Sequence, residues 1–160
     1  LHPTMVGTLS EWEHELHDVR TTEPHELAQQ LLRDSPHLEA ALAEMALAEA
    51  LTLAFRAGAD PERVVDAIGG GVAGSWILNN RSDRMLNDDY PLGFRTRLHR
   101  KDLGIALDTA RQFQVPVPIA SLIATIEDSL IAQGFGDEDM SNLARFVRMG
   151  AGVPNGPMKE

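Results

Sequence analysis

The chain has 160 residues, a formal net charge of −10, 43% hydrophobic side chains and no cysteine. One domain of ordinary size accounts for that length, the negative field disfavours phosphate backbones and anionic headgroups, and disulfides, thiolate metal sites and cysteine nucleophiles are excluded. No apolar run reaches the roughly 18 residues of a membrane span and residues 1–10 lack the basic and apolar regions of a signal peptide, so the expectation is a cytoplasmic protein that binds neither nucleic acid nor membrane.

Helical periodicity recurs along the chain and strand signals are nearly missing. A first helix is predicted from the capping-box pair Ser10 and Glu13, and a second over residues 23–33, with Pro24 in its first turn. The strongest segment follows: Ser35 as N-cap, Pro36 at N1, then an Ala-, Leu- and Glu-rich run to Ala57 closed by Gly58. Its many alanines favour helix and permit close approach of a second helix, so it is predicted to be the central element. Shorter helices are predicted from Asp60 to the glycines at 69–71 and over residues 75–86. An irregular crossing with Pro91 and Gly93 spans residues 88–94. A long helix over 95–113 is expected to turn Leu98, Leu103, Leu107 and Ala110 inward. Further helices are predicted over 118–133, opened by Pro118 and stopped by Gly134, and over 138–149. Residues 150–160, rich in Gly and Pro, are expected to form a flexible tail. The predicted fold class is therefore all-α, a multi-helix bundle.

Three patterns resemble ligand motifs but lack their context. Gly69, Gly71 and Gly74 match G-x-G-x-x-G, yet a helical segment precedes them where a dinucleotide site needs a strand, so a helix-to-helix connection is expected. His14, His17 and His25 offer imidazoles without a fixed metal-ligand spacing. The acidic run at 137–141 departs from a calcium loop at Asn142 and Arg148, which leaves helix capping by Asp137 or Asp139; no metal site is expected. Phe94, Arg95, Arg97, Arg100 and Lys101 instead cluster four cations around one aromatic in an acidic chain. That cluster either faces an anionic ligand or pairs with carboxylates of neighbouring helices.

An ordered set of short segments carries a family resemblance: Ala48-Glu-Ala-Leu51, Ala57-Gly-Ala-Asp-Pro61, Gly71-Val-Ala-Gly-Ser75, Gly93-Phe94, Lys101-Asp-Leu103, Val117-Pro118 and Gly134-Phe-Gly-Asp-Glu-Asp139. Together they resemble the helical C-terminal domain of the β-hydroxyacid dehydrogenases, the group of 3-hydroxyisobutyrate dehydrogenase and tartronate semialdehyde reductase, whose bundle is of the 6-phosphogluconate dehydrogenase type. The resemblance implies a dehydrogenase-like helical domain over residues 42–149, preceded by a divergent helical extension at 1–41. It implies that NAD or NADP is bound with a Rossmann domain or companion chain, that Lys101, Phe94 and Asp102 face that cofactor, and that the helical domain builds a homodimer. The family's acid/base lysine falls at Arg33 and its substrate-holding asparagine at His37, so no catalytic residue is assigned. An arginine cannot exchange a proton near neutral pH. Two functions follow: a dimerising, cleft-closing domain of an NAD(P)-dependent hydroxyacid oxidoreductase that is inactive by itself, or a stand-alone helical assembly module that has lost the chemistry.

Overall fold

The computed structural model describes residues 22–158, with side chains described at Gln29 and over 35–158. Within this range the chain folds as α1 (Thr22–Arg56), α2 (Pro61–Gly69), α3 (Trp76–Asn87), α4 (Thr96–Gln112), α5 (Pro118–Ala132), a 3₁₀ turn (Met140–Asn142) and α6 (Leu143–Gly150). Among the described residues there is no strand, and one isolated bridge joins Arg95 to Asp139. The predicted all-α bundle is thus the observed architecture. The helix expected from Ser10 lies outside the described residues.

The local chemistry sets the helix boundaries. Asp60 Oδ1 accepts from the Glu62 amide at 3.0 Å with Pro61 at N1, and Ser75 Oγ accepts from the Leu78 amide at 3.0 Å. Pro118 opens α5, and Gly134, at φ +95°, turns the chain out of it. The expected break between residues 33 and 35 is corrected: α1 runs unbroken through Pro36. A proline removes one backbone bond, but good helix formers surround it, among them Leu31, Leu32, Leu38, Glu39 and Ala40.

The alanine-rich half of α1 is central and packs against every other helix. Ala41 and Met45 enter a cluster with Leu103 and Leu107 of α4 and Ile123, Ala124 and Leu130 of α5. One turn further on, Leu47, Ala48 and Leu51 enter a second cluster with Leu78 and Met85 of α3, Tyr90 and Met158. Ala41 and Ala48 are fully buried, consistent with close helix approach at both clusters. Leu98 does not follow expectation: it faces outward, and His99 takes the inward position in the stripe Thr96, His99, Leu103, Leu107.

Residues 150–158, expected to be a flexible tail, are anchored to the bundle. Arg148, almost wholly buried, donates to the carbonyls of Met85 and Pro154 at 2.9 Å each and to that of Gly156. The Met158 amide donates to Leu86 O at 2.7 Å, the Gly156 amide to Asp88 Oδ2 at 2.9 Å, and Val153 and Met158 are buried. The composition that reads as flexible also supplies the tight turns, with Gly152 and Gly156 at positive φ.

Candidate cofactor-facing edge

The crossing from α3 to α4 carries Phe94 to the surface, and one carboxylate fixes it. Asp139 is fully buried. Its Oδ2 accepts from the Phe94 amide at 2.9 Å and pairs with Arg84 Nη1 at 2.9 Å, while its Oδ1 pairs with Arg81 Nε at 3.1 Å and accepts from Ser141 Oγ at 2.7 Å. The Phe94 carbonyl accepts from the Met140 amide at 2.9 Å, so the backbone of Phe94 is held on both sides. Residue 93 must lack a side chain, because a Cβ there would lie 2.6 Å from Asp139 Oδ2. Asp139 also caps the 3₁₀ turn, one of the two capping roles the sequence offered.

Lys101 and Asp102 follow on α4. Lys101 Nζ lies 2.9 Å from Asp102 Oδ1, with the lysine side chain 64% exposed. Asp102 Oδ2 faces His37 Nε2 of α1 at 3.7 Å, so one carboxylate lies between two bases. The His37 ring stacks on Phe94, centroids 5.8 Å apart and planes 21° apart. The structure therefore gathers Phe94, Lys101, Asp102 and His37 from two helices and a crossing onto one edge. The side chain of Arg33, one turn before His37, lies outside those described, as do His14, His17 and His25.

The basic cluster resolves in favour of pairing. Arg95 and Arg97 both meet Asp137, at 3.4 and 2.7 Å, and Arg100 grips Asp128 with two bonds of 2.8 and 3.0 Å. These arginines are committed to carboxylates, and Lys101 is the cation of the cluster that stands at the edge. The Gly69–Gly74 segment connects two helices. Its backbone closes on itself, since a Cβ on Gly74 would lie 2.7 Å from Gly69 O. No group of His, Asp or Glu among the described residues could hold a metal ion, and no described helix is long and apolar enough to cross a membrane.

Beneath the edge lie residues that sequence reasoning missed. His99 is fully buried, with Nδ1 2.6 Å from Glu127 Oε1 of α5 and Nε2 3.2 Å from the carbonyl of His37. A carbonyl only accepts, so Nε2 carries a proton, and a single further proton lies between Nδ1 and Glu127. Burial pushes the Glu127 carboxyl up, and the bond to His99 opposes that shift. The His99 ring also meets Phe94 edge-on at 6.1 Å. Its position four residues before Leu103 on the inward stripe was the available signal. Glu44 of α1 is buried near Arg81, and burial followed by the charge of Asp139 pushes its carboxyl up to about 8.

A family model described as the NAD-binding domain of NADP-dependent 3-hydroxyisobutyrate dehydrogenase matches residues 38–147. The chain belongs to this family. It is 36% identical over 104 residues to 2-hydroxy-3-oxopropionate reductase of Escherichia coli, an alignment covering 65% of this chain and 36% of that protein. Its fold is similar to 3-hydroxyisobutyrate dehydrogenase from Salmonella typhimurium, with a TM-score of 0.67 and 30% identity over 72% of this chain and 40% of that one. A second likeness is to the Mycobacterium tuberculosis 3-hydroxyisobutyrate dehydrogenase, with a TM-score of 0.69 and 26% identity over 76% of this chain and 44% of that one. The chain spans about a third of the length of the curated relatives it matches. The family is one of NAD(P)-dependent hydroxyacid dehydrogenases, and the matched range includes the whole edge apart from His37.

Proposed function

We propose that this chain is the helical, dimerising and cleft-closing part of an NAD(P)-dependent oxidoreductase acting on small hydroxy acids. The observation that carries this reading is the exposed Lys101 ammonium, held by Asp102 beside Phe94 and His37 on one edge of the bundle. Residue types at the edge fit the nicotinamide end of the cofactor: an aromatic face for a flat ring, and an ammonium for a hydroxyl, amide or phosphate oxygen. They do not form a pyrophosphate cradle, because the arginines are paired and the Gly69–Gly74 segment is closed on itself. A Rossmann-type unit, in the same polypeptide or a companion chain, therefore supplies the nucleotide site in this reading. NAD or NADP, when bound, accepts the hydride. Phe94 and Lys101 orient the end of the cofactor that approaches the bundle, and Asp102 holds Lys101 in place.

A second reading, a non-catalytic assembly module of the same family, is favoured by Arg33, which stands where the resemblance places a proton-exchanging lysine. One pair of assays separates the two. The 160-residue chain alone should show no reduction of NAD or NADP with glycerate or 3-hydroxyisobutyrate. Joined to a family Rossmann unit, it should bind NADH more tightly than that unit does by itself. Turnover by the isolated chain, abolished by Lys101→Ala, would overturn the first reading; joined protein with no gain in NADH binding would favour the second.

A further inference from the structure

Oxidation of an alcohol releases a hydride and a proton, and the proton needs an acceptor suited to the working pH. Of the side chains gathered at the edge, only His37 is of a type that ordinarily changes charge between pH 5 and 8. Several features present it for this task. Its ring lies flat on Phe94, the residue assigned to the nicotinamide end, and its side chain is one-third exposed. Nε2 faces Asp102 Oδ2 at 3.7 Å, so the carboxylate favours a proton on that nitrogen and leaves Nδ1 as the exchanging one. Its backbone is fixed from below by the bond between the His37 carbonyl and His99 Nε2. The groups facing it are Asp102 and Lys101 at the surface and His99, backed by Glu127, underneath.

We propose that His37 is the acid–base group of this edge and that the buried His99–Glu127 pair is its positioning element. In the oxidative direction the hydroxyl proton of a small hydroxy acid passes to His37, the O–H electron pair becomes the second bond of the carbonyl, and the C–H pair leaves with its hydrogen as hydride to the nicotinamide. The reduction returns the proton from His37 to the carbonyl oxygen. The assignment rests on the oxidoreductase reading above. Arginines 81 and 84 cannot take this part, since guanidinium does not give up its proton and both are bonded to Asp139.

The test has two readouts. In the protein joined to a family Rossmann unit, His37→Gln should lower kcat for glycerate at least about 100-fold and remove one limb of the pH–rate profile; His37→Asn serves if the first variant fails to fold. Independently of turnover, histidine-selective NMR of the 160-residue chain should show the His37 ring resonances shifting on addition of glycerate. Glu127→Gln should change the shift that the Phe94 ring imposes on His37 while helicity is kept. His37 resonances unmoved by glycerate, or a variant that keeps the profile of the unsubstituted protein, would overturn the assignment alone. Absence of turnover by the unsubstituted joined protein would overturn the oxidoreductase reading and this assignment together.

Discussion

Glu44 and Asp139 are both fully buried and both face Arg81, yet Arg81 Nε lies 3.1 Å from Asp139 and 3.9 Å from Glu44. Asp139 accepts backbone and hydroxyl bonds besides, whereas neither oxygen of Glu44 has a hydrogen-bond partner. Asp139 thus takes the stabilising contacts of this corner, and Glu44 bears the cost of burial beside a like charge.

Stability should therefore fall as pH rises. The folded Glu44 carboxyl sits at about 8, above its unfolded value, so between pH 4.5 and 8 the folded state holds a proton that the unfolded state has lost. The loss is about 1.4 kcal/mol per pH unit across most of that window and levels off above pH 8. Urea unfolding at pH 6 and pH 8 should differ by roughly 2 kcal/mol from this group. In Glu44→Gln that contribution should vanish, and an unchanged pH dependence in the variant would assign the effect elsewhere.

Arg148 binds three carbonyls across the end of α3 and the C-terminal residues. Arg148→Met keeps the apolar stem but leaves those carbonyls without their donor. A cost of about 3 kcal/mol is expected, as for other buried groups stripped of a charged partner. Limited proteolysis should then cut within residues 150–158 under conditions in which the unsubstituted chain is resistant. Equal resistance of both proteins would show that Met158 and the Asp88–Gly156 bond suffice to hold the tail.

Helix order and most boundaries beyond residue 56 were legible because caps and stops are local: Asp60 with Pro61, Ser75 and Pro118 act within their own first turn. That Phe94, Lys101 and Asp102 share one edge was also legible, since they lie close together in sequence. What escaped depends on distant partners. Pro36 read as a start because proline ordinarily ends or begins a helix, and nothing local announces a continuous α1. His99 and Glu127 are 28 residues apart, and polar residues on an inward stripe are explained only once they are seen to face each other. The basic cluster could not be read without Asp128 and Asp137, which belong to later elements.

The proposed dimer has a specific face. The inward alanines of α1 are occupied within the chain, but Leu42, Ala46, Ala50 and Leu53 form an exposed stripe along the same helix, with Leu53 71% exposed. Small residues flanked by leucines allow two such helices to pack closely. Leu53→Glu should convert the homodimer to a monomer by light scattering at tens of micromolar, with helicity unchanged. A dimer that survives this substitution would move the interface off α1.

Lys101 offers the sharpest separation between a structural and a functional role. Its partner Asp102 is also faced by His37, and the lysine side chain is largely exposed, so the Lys101–Asp102 pair is screened by solvent. Lys101→Met should cost under about 1 kcal/mol, as for other exposed ion pairs. The same variant should weaken docking to a Rossmann unit carrying NADH, because the ammonium proposed to meet the cofactor is gone while the bundle beneath it is intact. Paired urea titrations and NADH-binding titrations measure the two effects separately. A cost of several kcal/mol with unaltered NADH binding would make Lys101 a structural residue, and the edge defined by Phe94, His37 and Asp102 would then lose the observation on which its cofactor-facing assignment stands.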